Sequence, residues 1–297
     1  MANLKDIRTR IASVKSTQQV TNAMKMVSAA KLRKAQDAIV QIRPYAYKLN
    51  EILSNVINNL DSDIENKYAV RKKTDRILII SIASNRGLCG GFNSNVVKRT
   101  SELLTETYPE YYKQGKADVI AIGKKAVDGF KTKGIKVIKS YLELYDNLNI
   151  ADVNEITQWI MDSYSDGVYD HVEVVYNQFI NAASQNLVSE QLLPVKPVEI
   201  RETDTNRSRY RLVYIFEPSM QEIAEIIIPQ ALRIQFYKAI LDSVAAEHGA
   251  RMTAMHKATD NASELIQELK LQYNQARQAS ITNEILEIVS GANAMSS

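Results

Sequence analysis

Gly87-Leu-Cys-Gly-Gly-Phe-Asn93 stands where a nucleotide-binding loop would stand, after the apolar run Arg76–Ser81 and before a helical stretch. Its spacing is neither G-x-G-x-x-G nor G-x-x-x-x-G-K-[ST], the two patterns whose backbone N–H groups cradle a phosphate. No acid ends the next strand to hold a ribose; Gly123-Lys124-Lys125 stands there instead. The glycines therefore suit a tight turn that lets strand and helix close up, and no nucleotide or other cofactor is expected. Cys89 is the only cysteine, so no intramolecular disulfide forms. His171, His248 and His256 form no metal-ligand spacing with acids or cysteine. His248 and His256 are eight apart on a helical pattern, on one face but too far apart to share an ion. No nucleophile–base set and no paired carboxylates stand out. The remaining polar cluster is Arg277-Gln278 with Thr282 and Glu284, on a helical stretch, where it either lies in solvent or offers directional hydrogen bonds to a partner.

The elements that must position these residues are unequal. From Pro229 to Val289 there is no internal proline and one glycine, Gly249. At about 1.5 Å per residue that helix runs roughly 90 Å. Leu4–Leu60 is also helical in pattern, interrupted at Pro44. Helices this long need a partner for their apolar seam, and the opposite end of the same chain supplies one. Met252, Met255, Thr259, Ala262, Ile266, Leu269, Tyr273, Ala276 and Ser280 keep a 3-4 alternation that argues for a coiled coil. Ile281, Ile285 and Ile288 then move to a new stripe. In the first helix Leu4, Ile7, Ile11 and Val14 open a seam, polar Gln18 and Thr21 continue its register, and an off-phase stripe at Val20, Met24 and Val27, then Ala35, Ile39 and Ile42, is expected to take over.

The middle alternates strand and helix patterns. Strands are expected at Arg76–Ser81, Ala117–Ile122, Ile135–Lys139, Val172–Ile180, Leu187–Val195 and Tyr210–Phe216. Helices are expected at Asn93–Thr107, Lys124–Lys131 and Val153–Tyr164. The βαβαβ order implies a largely parallel sheet covered by helices. Ser219 and Glu222 form a capping-box pattern, and Pro229 suits a kink or a fresh first turn. The expected organisation is a helix over 1–60, an α/β domain over 70–218 and a second helix over 219–297.

Composition sets outer limits. The chain has 297 residues, 45% hydrophobic and 24% charged, with a net charge of +3. No apolar run approaches the ~18 residues of a membrane span. The Arg-containing N-terminus has the composition of a mitochondrial presequence, but its helical pattern runs on through Met24 and Leu32 without a junction. Residues 1–43 hold nine Lys or Arg against Asp6 and Asp37. Such a helix is either a solvated face or the mark of an acidic partner: a protein surface, anionic lipid or nucleic acid. Few aromatics interleave the charges, which weakens nucleic acid as the partner. A coiled-coil scaffold or nucleic-acid adaptor is the alternative reading of the long helices. A nucleotide-dependent oxidoreductase is the other, and it lacks its glycine fingerprint.

Three blocks carry a family resemblance that runs end to end: Thr21-Asn-Ala-Met-Lys-Met-Val-Ser-Ala-Ala-Lys-Leu32, Ser84-Asn-Arg-Gly-Leu-Cys-Gly-Gly-Phe-Asn93, and the pair Glu247–Met255 with Ala276–Ala292. The chain resembles the gamma subunit of F-type ATP synthases, the central rotor shaft. The resemblance implies an α/β fold class: a long antiparallel coiled coil of the N- and C-terminal helices plus a central Rossmann-like α/β domain. It implies a non-catalytic subunit that couples rotation of a membrane ring to conformational change in a catalytic head, and so links ATP synthesis to proton transport. The implied partners are the alpha and beta subunits of the head, the epsilon subunit and the membrane ring of c subunits, with no nucleic acid and no insertion into the membrane. The implied location is the cytoplasmic side of a bacterial inner membrane. Met24, Lys25 and Lys31 match the segment that runs past an acidic loop of the beta subunits. Arg251, Arg277, Gln278, Thr282 and Glu284 match positions that touch the head. Tyr214, Phe216 and Glu217 match the foot on the ring. The light-regulated chloroplast form carries an extra cysteine pair, and a lone Cys89 excludes that dithiol switch.

Overall fold

The structure, a computed structural model, describes residues 4–59, 67–68, 74–145, 148–195 and 219–296. Six helices and five strands follow in the order α1 (Leu4–Asn59), β1 (Ile77–Ile82), α2 (Phe92–Glu102), α3 (Pro109–Lys113), β2 (Ala117–Ile122), α4 (Lys124–Thr132), β3 (Val137–Tyr141), α5 (Ile150–Ser165), β4 (His171–Phe179), β5 (Gln185–Leu193) and α6 (Met220–Ser296). The expected strand Tyr210–Phe216 and the site residues Tyr214, Phe216 and Glu217 lie outside the described residues. The chain divides into two compact units, residues 1–29 with 251–297, and residues 30–250.

The first unit is a helix pair. Gln18 Nε2 donates to Ser263 Oγ at 2.7 Å, and the hydroxyls of Thr21 and Thr259 share a hydrogen bond at 2.9 Å. As one index rises the other falls, so α1 and α6 run antiparallel. The α6 side of the seam is the one expected: Met255, Ala262 and Leu269 are buried, with Met252, Thr259, Ile266, Tyr273, Ala276 and Ser280 half-buried between them. On α1 the off-phase stripe is corrected at its start, while its continuation at Ala35 and Ile39 is buried. Val20 and Val27 are 55% and 58% exposed. The original register persists instead through Ile7, Ile11, Val14, Gln18, Thr21, Lys25 and Ser28, spaced 4-3 throughout. Hydroxyls on α6 satisfy Gln18 and Thr21, so polar side chains stay in the seam and the valines face outward. The same pairing sets Leu4 opposite the turn near Ala276. The last turns of α6 run past the described start of α1, and residues 281–292 are all exposed.

The second unit is built on the sheet, whose strand order is β3-β2-β1-β4-β5. Four strands are parallel and β5 returns antiparallel to β4. Every residue of β1 is buried, because a central parallel strand is covered on both faces. Alternate residues part to opposite sides. Leu78, Ile80, Ile82, Ile120, Ile122 and Val174 pack with Ile156 and Ile160 of α5, Leu49 and Leu53 of α1, and Ile228, Leu232, Phe236 and Ile240 of α6. Ile77, Ile79, Val119 and Ala121 pack with Val96 and Val97 of α2 and Ala126 and Phe130 of α4. Each such fully buried Ile, Leu or Phe contributes about 1.5–3 kcal/mol.

Several boundaries differ from the expectation. The helix expected over 93–107 is α2 followed by a π-turn, Leu103–Thr107, where Tyr108 N–H donates to Leu103 C=O at 2.8 Å. Pro109 lacks the N–H that would continue an α ladder and instead opens α3. The third strand is shifted to Val137–Tyr141, with a break in its register on β2. The fifth lies at Gln185–Leu193, two residues earlier than expected, paired to β4 across a turn capped by Asn181 Oδ1. Neither Pro44 nor Pro229 ends its helix. The carbonyls they release belong to Val40 and Glu225, both exposed residues, where solvent can supply the missing donor. The serine half of the capping box is present: Ser219 Oγ accepts from Glu222 N–H, while the Glu222 carboxylate accepts from the Ser219 hydroxyl, both at 3.2 Å.

Candidate partner-contact surfaces

The glycine-containing loop is knit shut by its own side chains. Ser84 Oγ donates to Arg86 C=O at 2.6 Å, Asn93 Oδ1 accepts from Ser84 N–H at 2.9 Å, and Asn93 Nδ2 lies 3.1 Å from Cys89 Sγ. Leu88 and Gly90 take positive φ, 62° and 60°. Cys89 and Phe92 point inward, packed on Ala246 and Ala250 of α6 and on Phe179. Gly249 belongs to the same arrangement, since a Cβ there would sit 3.1 Å from the carbonyl oxygen of Ala182 in the β4–β5 turn. At the end of β2, Gly123 has φ 89°, and a Cβ would meet Ala83 C=O at 2.1 Å. The loops at the strand ends are thus packed against each other.

Two polar clusters lie within the second unit. Tyr108 O–H donates to Glu173 Oε2 at 3.0 Å and lies 3.1 Å from His171 Nε2. Burial pushes the Glu173 carboxyl up, but hydrogen bonds from His171, Ser189 and Tyr108 together outweigh it and hold it below its ordinary value. Burial, then Glu173, raises the Tyr108 phenol. The second cluster centres on Asp242, 2% exposed on α6, whose Oδ1 has no hydrogen-bond partner among the described residues. Burial raises its carboxyl to about 6 against the pull of Lys238 and Arg43, with Glu190 adding repulsion. Glu190 itself accepts from Tyr176 O–H at 2.9 Å and Gln235 Nε2 at 2.8 Å. Neither cluster offers an open cleft with a nucleophile. Among the described residues no group of three or more His, Cys, Asp or Glu is placed to hold a metal ion.

The described site residues singled out in the sequence divide by exposure. Met24 and Lys25 are half-buried in the first unit. Met24 C=O accepts from Ser28 Oγ at 2.8 Å. Lys25 falls on the seam's register. Lys31 is exposed in the second unit. Arg251, by contrast, is only 7% exposed. Arg277, Gln278, Thr282 and Glu284 are all exposed, and Thr282 Oγ1 is turned back to Gln278 C=O at 2.9 Å. Arg277 and Glu284 are seven residues apart and share a face. The antiparallel pairing sets Met24 abreast of residues 256–257. Arg277 is therefore about 30 Å from it along the helix, and the structure does not bring these residues into one site.

The sequence pattern of the family described as ATP synthase matches residues 3–295. A gamma chain of ATP synthase from Flavobacterium psychrophilum is 52% identical over 295 residues, and one from Cytophaga hutchinsonii is 49% identical over 295; each alignment covers 99% of both chains. The chain belongs to the ATP synthase gamma-chain family. Solved structures repeat the fold: a chain of the Euglena gracilis mitochondrial ATP synthase has a TM-score of 0.66 at 21% identity, covering 98% of this chain and 94% of its own length. A chain of the Tetrahymena thermophila mitochondrial ATP synthase central stalk and c-ring has a TM-score of 0.58 at 24% identity, covering 80% and 99%.

Sequence reasoning missed the hydroxyl layer of the helix pair and the orphan Asp242. The layer was signalled by Gln18 and Thr21 holding the seam's register. Asp242 carried no signal of its own, since an aspartate at a helical spacing reads as a solvated face. Among the described residues no helix is long and apolar enough to cross a membrane.

Proposed function

We propose that this chain is the rotating central shaft of a proton-translocating F-type ATP synthase and has no catalytic site of its own. The observation that carries this is the 49–52% identity to gamma chains along 99% of the chain, helix pair included. Turning of a membrane ring of c subunits turns the chain. Its asymmetric surface then gives each beta subunit of the head a different contact energy, which is how a partner shifts a conformational population. The contacts proposed with the alpha and beta subunits are Met24, Lys25 and Lys31 beside an acidic loop, with Arg277, Gln278, Thr282 and Glu284 further along α6. Arg251 belongs to the same set but is buried, so its part is to hold the helix pair in shape for its neighbours. Tyr214, Phe216 and Glu217 are proposed to meet the ring, and the epsilon subunit to bind alongside. The chain would then sit peripherally on the cytoplasmic side of a bacterial inner membrane.

The exposed end of α6 fits a bearing. Ile288-Val289-Ser-Gly-Ala-Asn-Ala-Met-Ser-Ser carries no charged side chain, so it can turn in an apolar sleeve without desolvating an ion. The test is reconstitution of alpha and beta subunits with and without the chain. The isolated chain is expected to hydrolyse no ATP, while its addition raises and organises hydrolysis by the head. Hydrolysis by the purified chain alone would overturn the proposal.

A further inference from the structure

An open cleft of about 830 Å³ lies between β3, at the edge of the sheet, and α5. Lys139, Tyr141, Leu142, Glu143, Glu155 and Trp159 line it, together with Asp152 and Asp162. Among the described lining residues its charge is one-sided, with four carboxylates to one ammonium. Its aromatic wall is already used in a specific way. Lys139 Nζ lies 4.7 Å from the centre of the Trp159 ring and 5.2 Å from that of Tyr141, inside the range in which a ring face attracts a cation. The chain's own ammonium thus occupies a two-sided aromatic cage bordered by acids.

We propose that this cleft docks an arginine-bearing segment of a partner protein, whose guanidinium displaces Lys139 from the Trp159–Tyr141 cage while its neighbouring cations meet Glu143, Asp152 and Glu155. A guanidinium is the better occupant because it stacks flat on an aromatic ring and forks onto a carboxylate, whereas an ammonium does neither. A protein segment fits better than a small free cation for two reasons. The cleft is much larger than one cation, and exposed Leu142 gives its wall an apolar surface. Entry is by side chain rather than by strand addition. β3 carries exposed Lys139 at the edge of the sheet and a bulge in its pairing with β2, two features that discourage a further strand. The proposal does not rest on the shaft function, whose proposed contacts include none of these residues.

Trp159 is the chain's only tryptophan, so its emission reports the cage directly. The full chain is titrated with a blocked peptide of alternating Arg and Gly, and separately with tetramethylammonium. The expected result is a saturable, salt-sensitive change in Trp159 emission with the peptide and none with tetramethylammonium at the same concentration of positive charge. Lys139→Ala, which vacates the cage, should bind the peptide several-fold more tightly. The doubly reversed Glu143→Lys/Glu155→Lys chain, both sites being exposed, should keep its melting temperature and bind at least tenfold more weakly. Absence of a saturable change in the folded chain, equal binding by the reversed variant, weaker binding by Lys139→Ala, or equal saturation by tetramethylammonium would each overturn the proposal.

Discussion

Asp242 is where a single side chain opposes the fold. Its carboxyl is raised from an unfolded value of 3.8 to about 6, chiefly by burial. A raised acid means that the folded state holds its proton more tightly. Below the unfolded value both states are protonated and nothing is lost. As pH climbs from about 4 to 6 the unfolded chain ionises first, so stability falls across that window and stays lower above it. Two units correspond to roughly 3 kcal/mol as an upper bound. Asp242→Asn is therefore expected to stabilise the chain by about 1–2 kcal/mol at pH 7.5, with the gain vanishing near pH 4. Urea melts at the two pH values check it, and an equal effect at both would show that the ionised form carries no penalty. Glu173 has the opposite sign. Its hydrogen bonds hold it low, so its contribution is present above the ordinary carboxyl range and fades as pH falls through its lowered value. Both groups are invisible in sequence for the same reason: an Asp on a helix and a Glu on a strand read as solvent-facing until the packed neighbours are known.

At the scale of elements, the helix pair shows what a heptad pattern does and does not reveal. The α6 seam was legible from Met252 to Ser280 because its period never breaks. On α1 the apolar pattern pointed to Val20 and Val27, while the true seam ran through Gln18, Thr21 and Ser28. Apolarity marks a buried stripe only when its partner is apolar, and here the partner offers Thr259 and Ser263. Gln18→Ala is expected to cost about 0.5–1.5 kcal/mol, the usual net value of one hydrogen bond. Ser263→Ala in the same chain should add less than its own single cost, because the pair's bond is already gone. A double-mutant cycle by thermal unfolding reads the coupling, and strict additivity would mean that the 2.7 Å bond contributes nothing. The described strands were legible to within about two residues; β1, β2 and β4 are largely buried and read as nearly continuous apolar runs, and the less buried β3 and β5 are the two whose bounds shifted most. The π-turn at 103–107 was not, since nothing in Leu-Leu-Thr-Glu-Thr distinguishes a widened turn from an ordinary one. Glycines mark the junctions more firmly. Gly123→Ala combines a positive φ with a 2.1 Å approach to the Ala83 carbonyl and should cost about 2–4 kcal/mol, measured by the same melts.

For the molecule as a part of a motor, what matters is the difference between rotary positions, and Met24 is the residue where a small change in that difference can be read. A methionine is flexible and apolar, so it passes an acidic surface without a strong bond at any angle. It is half-buried on the helix pair, and a lysine there can lay its stem along the same surface and present its ammonium outward. Met24→Lys would thus offer a new cation to the acidic loop proposed for the beta subunits. An exposed ion pair contributes about 0.2–1 kcal/mol, enough to shift the occupancy of one position up to about fivefold. Such a bond deepens one resting angle and lets ATP be spent without a full, committed step. The expected result is a complex that assembles and hydrolyses ATP but pumps protons poorly. Arg277→Ala acts about 30 Å away along α6 and removes directional hydrogen bonds instead, so turnover should fall while the pumping ratio holds. Adding Arg277→Ala to the Met24→Lys chain should recover nothing, whereas removing a carboxylate from the facing loop should recover much of the ratio, because only contacting groups couple. The measurement is protons pumped per ATP hydrolysed in reconstituted vesicles. An unchanged ratio for Met24→Lys would mean that this side chain does not face the acidic loop during rotation.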